Sequence, residues 1–515
     1  MDRVTQEDAR SRRRAGILLH LTSLPGRFGV GDPGPEAERF LAWAQAAGQS
    51  LWQVLPLHPT GPGDSPYGAS SAFAGNPLLI SPERLVEGGY LPGSALDDAP
   101  RFPEGRVDFA GARQWKEKIL RASWEHSRAA VERREEFLSF RRADECEAWL
   151  SDWSLFAALK GKYPGSWISW PEPLARRHRE ALDSARRELG GEIAYQEYLQ
   201  FLFFLQWTSL KAQANRRGIS VMGDVPIYVA HDSADVWARQ DLFLLDASGR
   251  PEAVAGVPPD AFSETGQLWG YPLYRWDAME RDGFRWWIAR LRMALSAADI
   301  ARIDHFRGFA AGWSVPASET TAIHGRWIPG PGRKLFEAVA RALGDVPLVA
   351  EDLGVITDDV RELLSAIGIP GMKVLQFGFS EDDSDHLPHR HSADAVVYTG
   401  THDNDTTRGW FAALGKEERS RVLDYVGGDG SDIARDFIRE AYTSVARLAV
   451  VPLQDVFGLG SEARMNTPGV ASGNWMWRAD REGFTSERAE PLERIARLTG
   501  RAPRNVREEP TEKKA

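Results

Sequence analysis

Eight short apolar runs punctuate the chain, at 16–21 (GILLHL), 51–57 (LWQVLPL), 220–229 (SVMGDVPIYV), 300–306 (IARIDHF), 347–351 (PLVAE), 372–379 (MKVLQFGF), 395–401 (AVVYTGT) and 448–453 (LAVVPL). Each is nearly continuous in apolar, often β-branched residues and ends in polar, turn-forming ones. That pattern suits strands buried on both faces, as in a parallel sheet. Helical periodicity lies between many of them. The helix predicted over 36–47 opens beside Pro35, whose fixed φ suits a first turn. Those over 334–343 and 358–367 are closed by Gly344 and Gly368. Eight strands with intervening helices make a (β/α)8 TIM barrel, with no separate C-terminal β-domain; a doubly wound open sheet has the same periodicity. No G-x-G-x-x-G follows the first strand, which argues against dinucleotide binding.

The spacing is uneven. A β-α unit needs about 30 residues, so the stretch between the second and third strands must hold an inserted subdomain. We place it at 60–219, mostly helical, with helices over 112–134, 145–162 and 193–217. A second insertion, 230–285, is rich in Trp, Tyr, Pro and Gly. The polar segment 381–392 lacks helical periodicity, so the sixth helix is expected to be short or missing. Residues 507–515 read as a solvated tail, and the whole of 1–515 as one catalytic barrel with these insertions.

Composition narrows the classes. The chain has 515 residues, 43% hydrophobic and 26% charged, which excludes a mainly disordered protein. A net charge of -10 argues against a nucleic-acid surface, and no 18-residue apolar run signals a membrane helix. The single cysteine, Cys146, excludes internal disulfides and fits a reducing, cytoplasmic setting. The arginine-rich start lacks the apolar region and cleavage site of a signal peptide. The 19 Trp offer flat faces that pack a core or stack on sugar rings.

In a barrel, catalytic groups sit at the C-terminal ends of strands. Those ends read Arg302-Ile303-Asp304-His305, Ala350-Glu351-Asp352, Thr401-His402-Asp403-Asn404-Asp405 and Gln454-Asp455. Alternation puts Arg302 and Asp304 on one face. Glycoside chemistry needs one carboxyl group to protonate the leaving oxygen and another to attack the anomeric carbon or activate water. An adjacent Arg302 is expected to lower the Asp304 pKa and keep it ionised. Any one acid is more simply a cap or surface ion pair; three strand ends aimed at one mouth are not. His386, His389 and His391 share a loop with Asp382, Asp383 and Asp385, a solvated polar loop more simply than a metal site. No P-loop and no G-x-S-x-G elbow occurs.

From Gly16 to Arg478 the chain resembles the 4-α-glucanotransferases, the amylomaltase or disproportionating enzymes of glycoside hydrolase family 77. The segments GILLHLTSLPGRFGVGD, SPYGASSAFAGNP, GVPPDAFSETGQLWGYPLY, RIDHFRGF, AEDLGVIT, GIPGMKVLQF, THDNDT and ARMNTPGVASGNWMWR carry the resemblance, in order. It implies a retaining transfer of α-1,4-glucan segments to a 4-hydroxyl of an acceptor glucan or glucose. Asp304 would be the nucleophile, Glu351 the general acid/base and Asp403 the transition-state stabiliser. Arg302, His305 and His402 would orient the nucleophile and bind sugar. Tyr67, Trp269 and Asn474 would contact sugar, with Asp260 and Gln267 in the overhanging loop. The resemblance implies malto-oligosaccharides and α-1,4-glucans as donor and acceptor, no metal or organic cofactor and no protein partner. Ala261, Tyr271, Phe457 and Val470 depart from its commoner residues, an aromatic, Asn, Leu and Thr. An α-1,4-glucan hydrolase uses the same carboxylates with water as acceptor. A non-catalytic glucan-binding protein would have no need of them.

Overall fold

A computed structural model describes residues 12–259, 263–380 and 383–503. Twelve strands follow in chain order among them: β1 (Arg14–Leu18), β2 (Leu51–Gln53), β3 (Ser220–Pro226), β4 (Ala253–Val257), β5 (Gln267–Pro272), β6 (Ile300–Asp304), β7 (Ala311–Pro316), β8 (Arg326–Pro329), β9 (Leu348–Ala350), β10 (Gly371–Val374), β11 (Ala395–Tyr398) and β12 (Leu448–Pro452). Eight form one sheet in the order β10-β11-β12-β1-β2-β3-β6-β9, and every paired neighbour is parallel. The seam between β9 and β10 is held differently. Ala350 N–H donates to Pro370 O at 2.9 Å, and Met372 N–H donates to Asp352 Oδ1 at 2.6 Å. The sheet therefore wraps into a (β/α)8 barrel, with all eight predicted strands in place. They end earlier than the apolar runs suggest, because the chain turns away once its ladder partner is lost.

Alternation sorts the barrel side chains. Leu18, Leu51, Met222, Val349, Met372, Val374, Val396, Tyr398 and Val450 fill the interior as one buried cluster. Their neighbours Ile17, Trp52, Val221, Ala301, Ile303, Val397 and Val451 join the clusters that the outer helices cover. Gly16 lies where β1 and β2 come closest; a β-carbon there would stand 2.7 Å from Leu51 Cβ and 2.8 Å from Leu51 O.

The outer helices follow their sequence signals. Pro35 starts Pro35–Ala46, and Gly344 and Gly368, at φ 76° and 67°, end Arg333–Leu343 and Asp358–Ile367. Between β2 and β3 run the long helices Phe109–Val131 and Gly190–Arg216. The helix predicted over 145–162 is two, Asp144–Glu147 and Leu150–Lys162, broken where Trp149 leaves helical geometry at φ -147°. Between β10 and β11 only 3-10 turns occur among the described residues. No described helix is long and apolar enough to cross a membrane.

One element had no forecast. The loop after β3 and the loop after β6 join in a four-stranded antiparallel sheet, order β5-β4-β7-β8. Both loops leave the C-terminal ends of barrel strands, so this sheet overhangs the mouth.

Candidate active site

Register builds the site. Asp224 of β3 lies beside Arg302 of β6, and Pro226 beside Asp304. On the other side Arg302 lies beside Val349 and Ile303 beside Ala350. Continuing that register brings Glu351 level with Asp304, both at inward-alternating positions. The two predicted carboxylates thus meet at the barrel mouth on adjacent strands.

Arg302 is the hub. Its Nη1 donates to both carboxylate oxygens of Asp224 at 2.7 Å, and its Nη2 donates to Asp304 Oδ1 at 3.1 Å. Tyr67 O–H donates to Asp224 Oδ2 at 2.7 Å. The Asp224 side chain is 0% exposed and that of Asp304 29%, so Asp304 alone of the pair faces the cleft. Asp224 is the residue sequence reasoning missed. Reading the end of the third strand for carboxylates, as was done for the fourth, fifth, seventh and eighth, finds it in VMGDVP.

Burial pushes the Asp304 carboxyl well above the usual carboxylate range; Arg302 opposes this, and the charges of Asp224, Glu351 and Asp403 add to it. The expectation that Arg302 would lower the pKa is corrected here. The guanidinium does pull downward, but it is shared with Asp224, and desolvation outweighs it. Burial raises Glu351 to about 7, again against the pull of Arg302.

Glu351 is held by the backbone. His305 N–H donates to its Oε2 at 2.6 Å and Leu353 N–H to its Oε1 at 2.8 Å. His305 can aim that N–H because it sits in the left-handed region, at φ 50° and ψ 51°, rare for a residue with a β-carbon and a known mark of functional sites. The Trp269 ring of β5 meets the His305 ring edge-on at 4.7 Å between centroids. Trp269 Nε1–H donates to Gln267 Oε1 at 3.2 Å, so those two overhanging residues brace each other.

Asp403 enters from the loop after β11. Asn466 Nδ2 donates to its Oδ1 at 2.6 Å, and His402 Nε2 lies 3.4 Å from the same oxygen. The His402 ring stacks on Tyr67, centroids 5.2 Å apart, which links this loop to Asp224 and so to Arg302. Burial lowers the pKa of His402, and takes those of His20 and His305 down to about 3, so these imidazoles are neutral. Asn466, too, was not singled out in the sequence.

The remaining candidates divide. Asn474 lies in the loop after β12, where it accepts from Thr467 N–H at 3.0 Å and donates to Val470 O at 2.8 Å; its amide pins its own loop. Asp260, with Ala261, lies outside the described residues. Asp455 is buried and accepts from Thr399 and Thr407, a clamp rather than a cleft residue. The three loop histidines have separate partners: Val374 N–H for His386, Tyr425 for His389, and Ser444 with His386 O for His391. No group of three or more His, Cys, Asp or Glu among the described residues could hold a metal.

Comparison with known proteins shows the family. The sequence profile described as 4-alpha-glucanotransferase, glycoside hydrolase family 77, matches residues 19–482. The chain belongs to the 4-alpha-glucanotransferase family. It is 50% identical over 502 residues to the 4-alpha-glucanotransferase of Thermus thermophilus, covering 95% of this chain and 99% of that one. It is 49% identical over 486 residues to the chloroplastic/amyloplastic 4-alpha-glucanotransferase of Solanum tuberosum, covering 93% and 84%. The structure of amylomaltase from Streptococcus agalactiae in complex with acarbose superposes with a TM-score of 0.92 at 36% identity, over 96% of this chain and 100% of that one. As a family member the chain is a glycosyl-transferring enzyme, which sets aside the non-catalytic reading; the hydrolase reading is not favoured.

Proposed function

We propose that this enzyme transfers segments of α-1,4-glucans by a retaining double displacement carried by Asp304, Glu351 and Asp403. The observation that supports this best is the level pairing of Asp304 and Glu351 on adjacent strands, with Arg302 hydrogen-bonded to Asp304 and not to Glu351. Burial pushes both acids up and the Glu351 charge raises Asp304 further, so the two titrate as a pair. Arg302 touches Asp304, while Glu351 meets only two neutral N–H groups. In this reading the pair's negative charge sits on Asp304, at the guanidinium, and its proton on Glu351.

The chemistry follows. Glu351 gives its proton to the glycosidic oxygen as Asp304 attacks the anomeric carbon and the leaving glucan departs with that proton. Glu351, now a carboxylate, takes a proton from the 4-hydroxyl of an acceptor glucan or glucose. That oxygen attacks the anomeric carbon and frees Asp304. Asp403, steadied by Asn466, grips ring hydroxyls as charge develops at the sugar. Tyr67, His402 and His305 wall the sugar being transferred, and Trp269 and Gln267 border the acceptor. Asn474 shapes the rim through its loop. In this reading 60–219 and 230–285 are insertions on a single catalytic barrel, and the substrates are malto-oligosaccharides in a reducing, cytoplasmic setting.

Incubation with maltotriose tests the proposal. A ladder of longer maltodextrins with glucose is expected. Glucose and maltose alone would mean hydrolysis, and unchanged maltotriose would refute catalysis on these substrates.

A further inference from the structure

Tyr271 lies at the far end of β5 from Gln267, two residues beyond Trp269. Its hydroxyl is 3.5 Å from where a β-carbon on Gly68 would stand, so it faces the loop that carries Tyr67. Burial, with the charge of Asp304 adding to it, holds the phenol protonated. The two neighbouring phenols behave differently. Tyr67 spends its hydroxyl on Asp224 and Tyr274 donates to Ile227 O. The Tyr271 hydroxyl has no hydrogen-bond partner among the described residues. A half-buried, protonated donor in the mouth of a sugar-handling site, with nothing to bind, is suited to a ligand.

Position decides which sugar. Trp269 sits on His305, whose N–H holds the Glu351 carboxyl. The sugar next to Glu351 is the one that leaves and the one that arrives. In the reading above Gln267 and Trp269 border that sugar, and Tyr271 follows them at alternate positions on β5, toward Gly68. We propose that the Tyr271 hydroxyl hydrogen-bonds one hydroxyl of the acceptor sugar and so sets acceptor selectivity. This rests on the glucan-transfer reading above.

An acceptor series tests it. Wild type and Tyr271→Phe are given maltotriose as donor with D-glucose, 2-deoxy-, 3-deoxy- or 6-deoxy-D-glucose as acceptor, and acceptor kcat/KM is measured for each. In the wild type one deoxy sugar should be the poorest. In Tyr271→Phe glucose should fall by roughly tenfold, the cost of one hydrogen bond, to the level of that deoxy sugar, which should itself hardly change. KM for glucose should carry most of the loss. A proportional fall for all four acceptors would mean a structural role and overturn the proposal, as would no fall at all. A wild-type reaction that yields only glucose and maltose would instead overturn the transfer reading, and is seen without any variant.

Discussion

Replacing Glu351 by alanine and, separately, by glutamine parts acid catalysis from loop structure. A positioned general acid contributes about 10²–10⁴-fold, so either variant should lose about that factor in kcat/KM on maltotriose. Maltosyl fluoride needs no protonation of its leaving group. On it, formation of the glycosyl-enzyme by Glu351→Ala should fall by less than about tenfold. The two variants should then differ, for a reason visible in the structure. Both Glu351 oxygens accept backbone N–H groups, from His305 and Leu353. A glutamine has one oxygen, so whichever way its amide turns, an NH2 group meets a backbone N–H. Leaving such a donor unpaired costs about 1–3 kcal/mol. That cost falls on the His305 turn beside the nucleophile. Alanine opens a space that water from the cleft can enter. Glutamine should therefore be the slower variant on maltosyl fluoride and the less stable on heating, despite its likeness in shape. Stopped-flow fluoride release and calorimetric melting read both effects. Equal damage by Glu351→Ala on both donors would refute the acid role, and faster fluoride release by glutamine than by alanine would refute the two-donor account.

Three further outcomes follow from the charges. Asp224→Asn breaks a fully buried ion pair, which should cost about 3 kcal/mol of stability, and it loosens Arg302 and with it Asp304. Turnover on maltotriose should drop about 10²-fold, and wild-type turnover would contradict this. With Glu351 raised to about 7 and needed in its protonated form, kcat/KM on maltotriose should fall as pH rises through about 7, while maltosyl fluoride release should show no such limb. Burial holds His20 and His305 near 3 and His58, His386 and His391 near 4, below the ordinary 6.5. The unfolded chain takes up protons at these groups that the native state refuses, so stability present above 6.5 is lost as pH falls toward 4. Carboxyls that burial raises, Asp304, Glu351, Asp235, Asp352 and Asp455 among them, act the other way. In a His58→Gln variant, which has no such proton to take up, the melting temperature should fall less, or rise more, between pH 6.5 and 4.5 than in the wild type; identical profiles would refute the histidine share.

The barrel was legible because its strands are buried on both faces and so carry unbroken apolar runs. Asp304, Glu351 and Asp403 were legible because each lies near the end of such a run or just beyond it. The overhanging sheet was not. β8 is Arg326–Pro329, exposed along most of its length, and β5 contains Gly270 at φ 76°, so neither shows clean alternation. Asp224 was hidden inside an apolar run, where one acid reads as an interruption. Its role comes from Arg302, 78 residues away in the chain, which only the register of β3 on β6 brings beside it. The direction of the Asp304 shift was misjudged because burial, which the sequence does not show, outweighs Arg302. Sequence shows Arg302 near Asp304 but not that Asp224 already holds the guanidinium with two bonds. The two-donor grip on Glu351 depends on the left-handed turn at His305, which a histidine does not announce.

The central claim is that Asp304 becomes covalently bonded to sugar. Reaction with a 5-fluoro-α-glycosyl fluoride, which forms the intermediate faster than it breaks it, followed by peptide mass spectrometry, locates the bond. The mass of one 5-fluoroglycosyl group should appear on Asp304, in the peptide that also holds Ile303 and His305. Label on Asp224, Glu351 or Asp403 instead would contradict the assignment of the nucleophile, and an unlabelled protein that still transfers glucan would contradict the covalent mechanism.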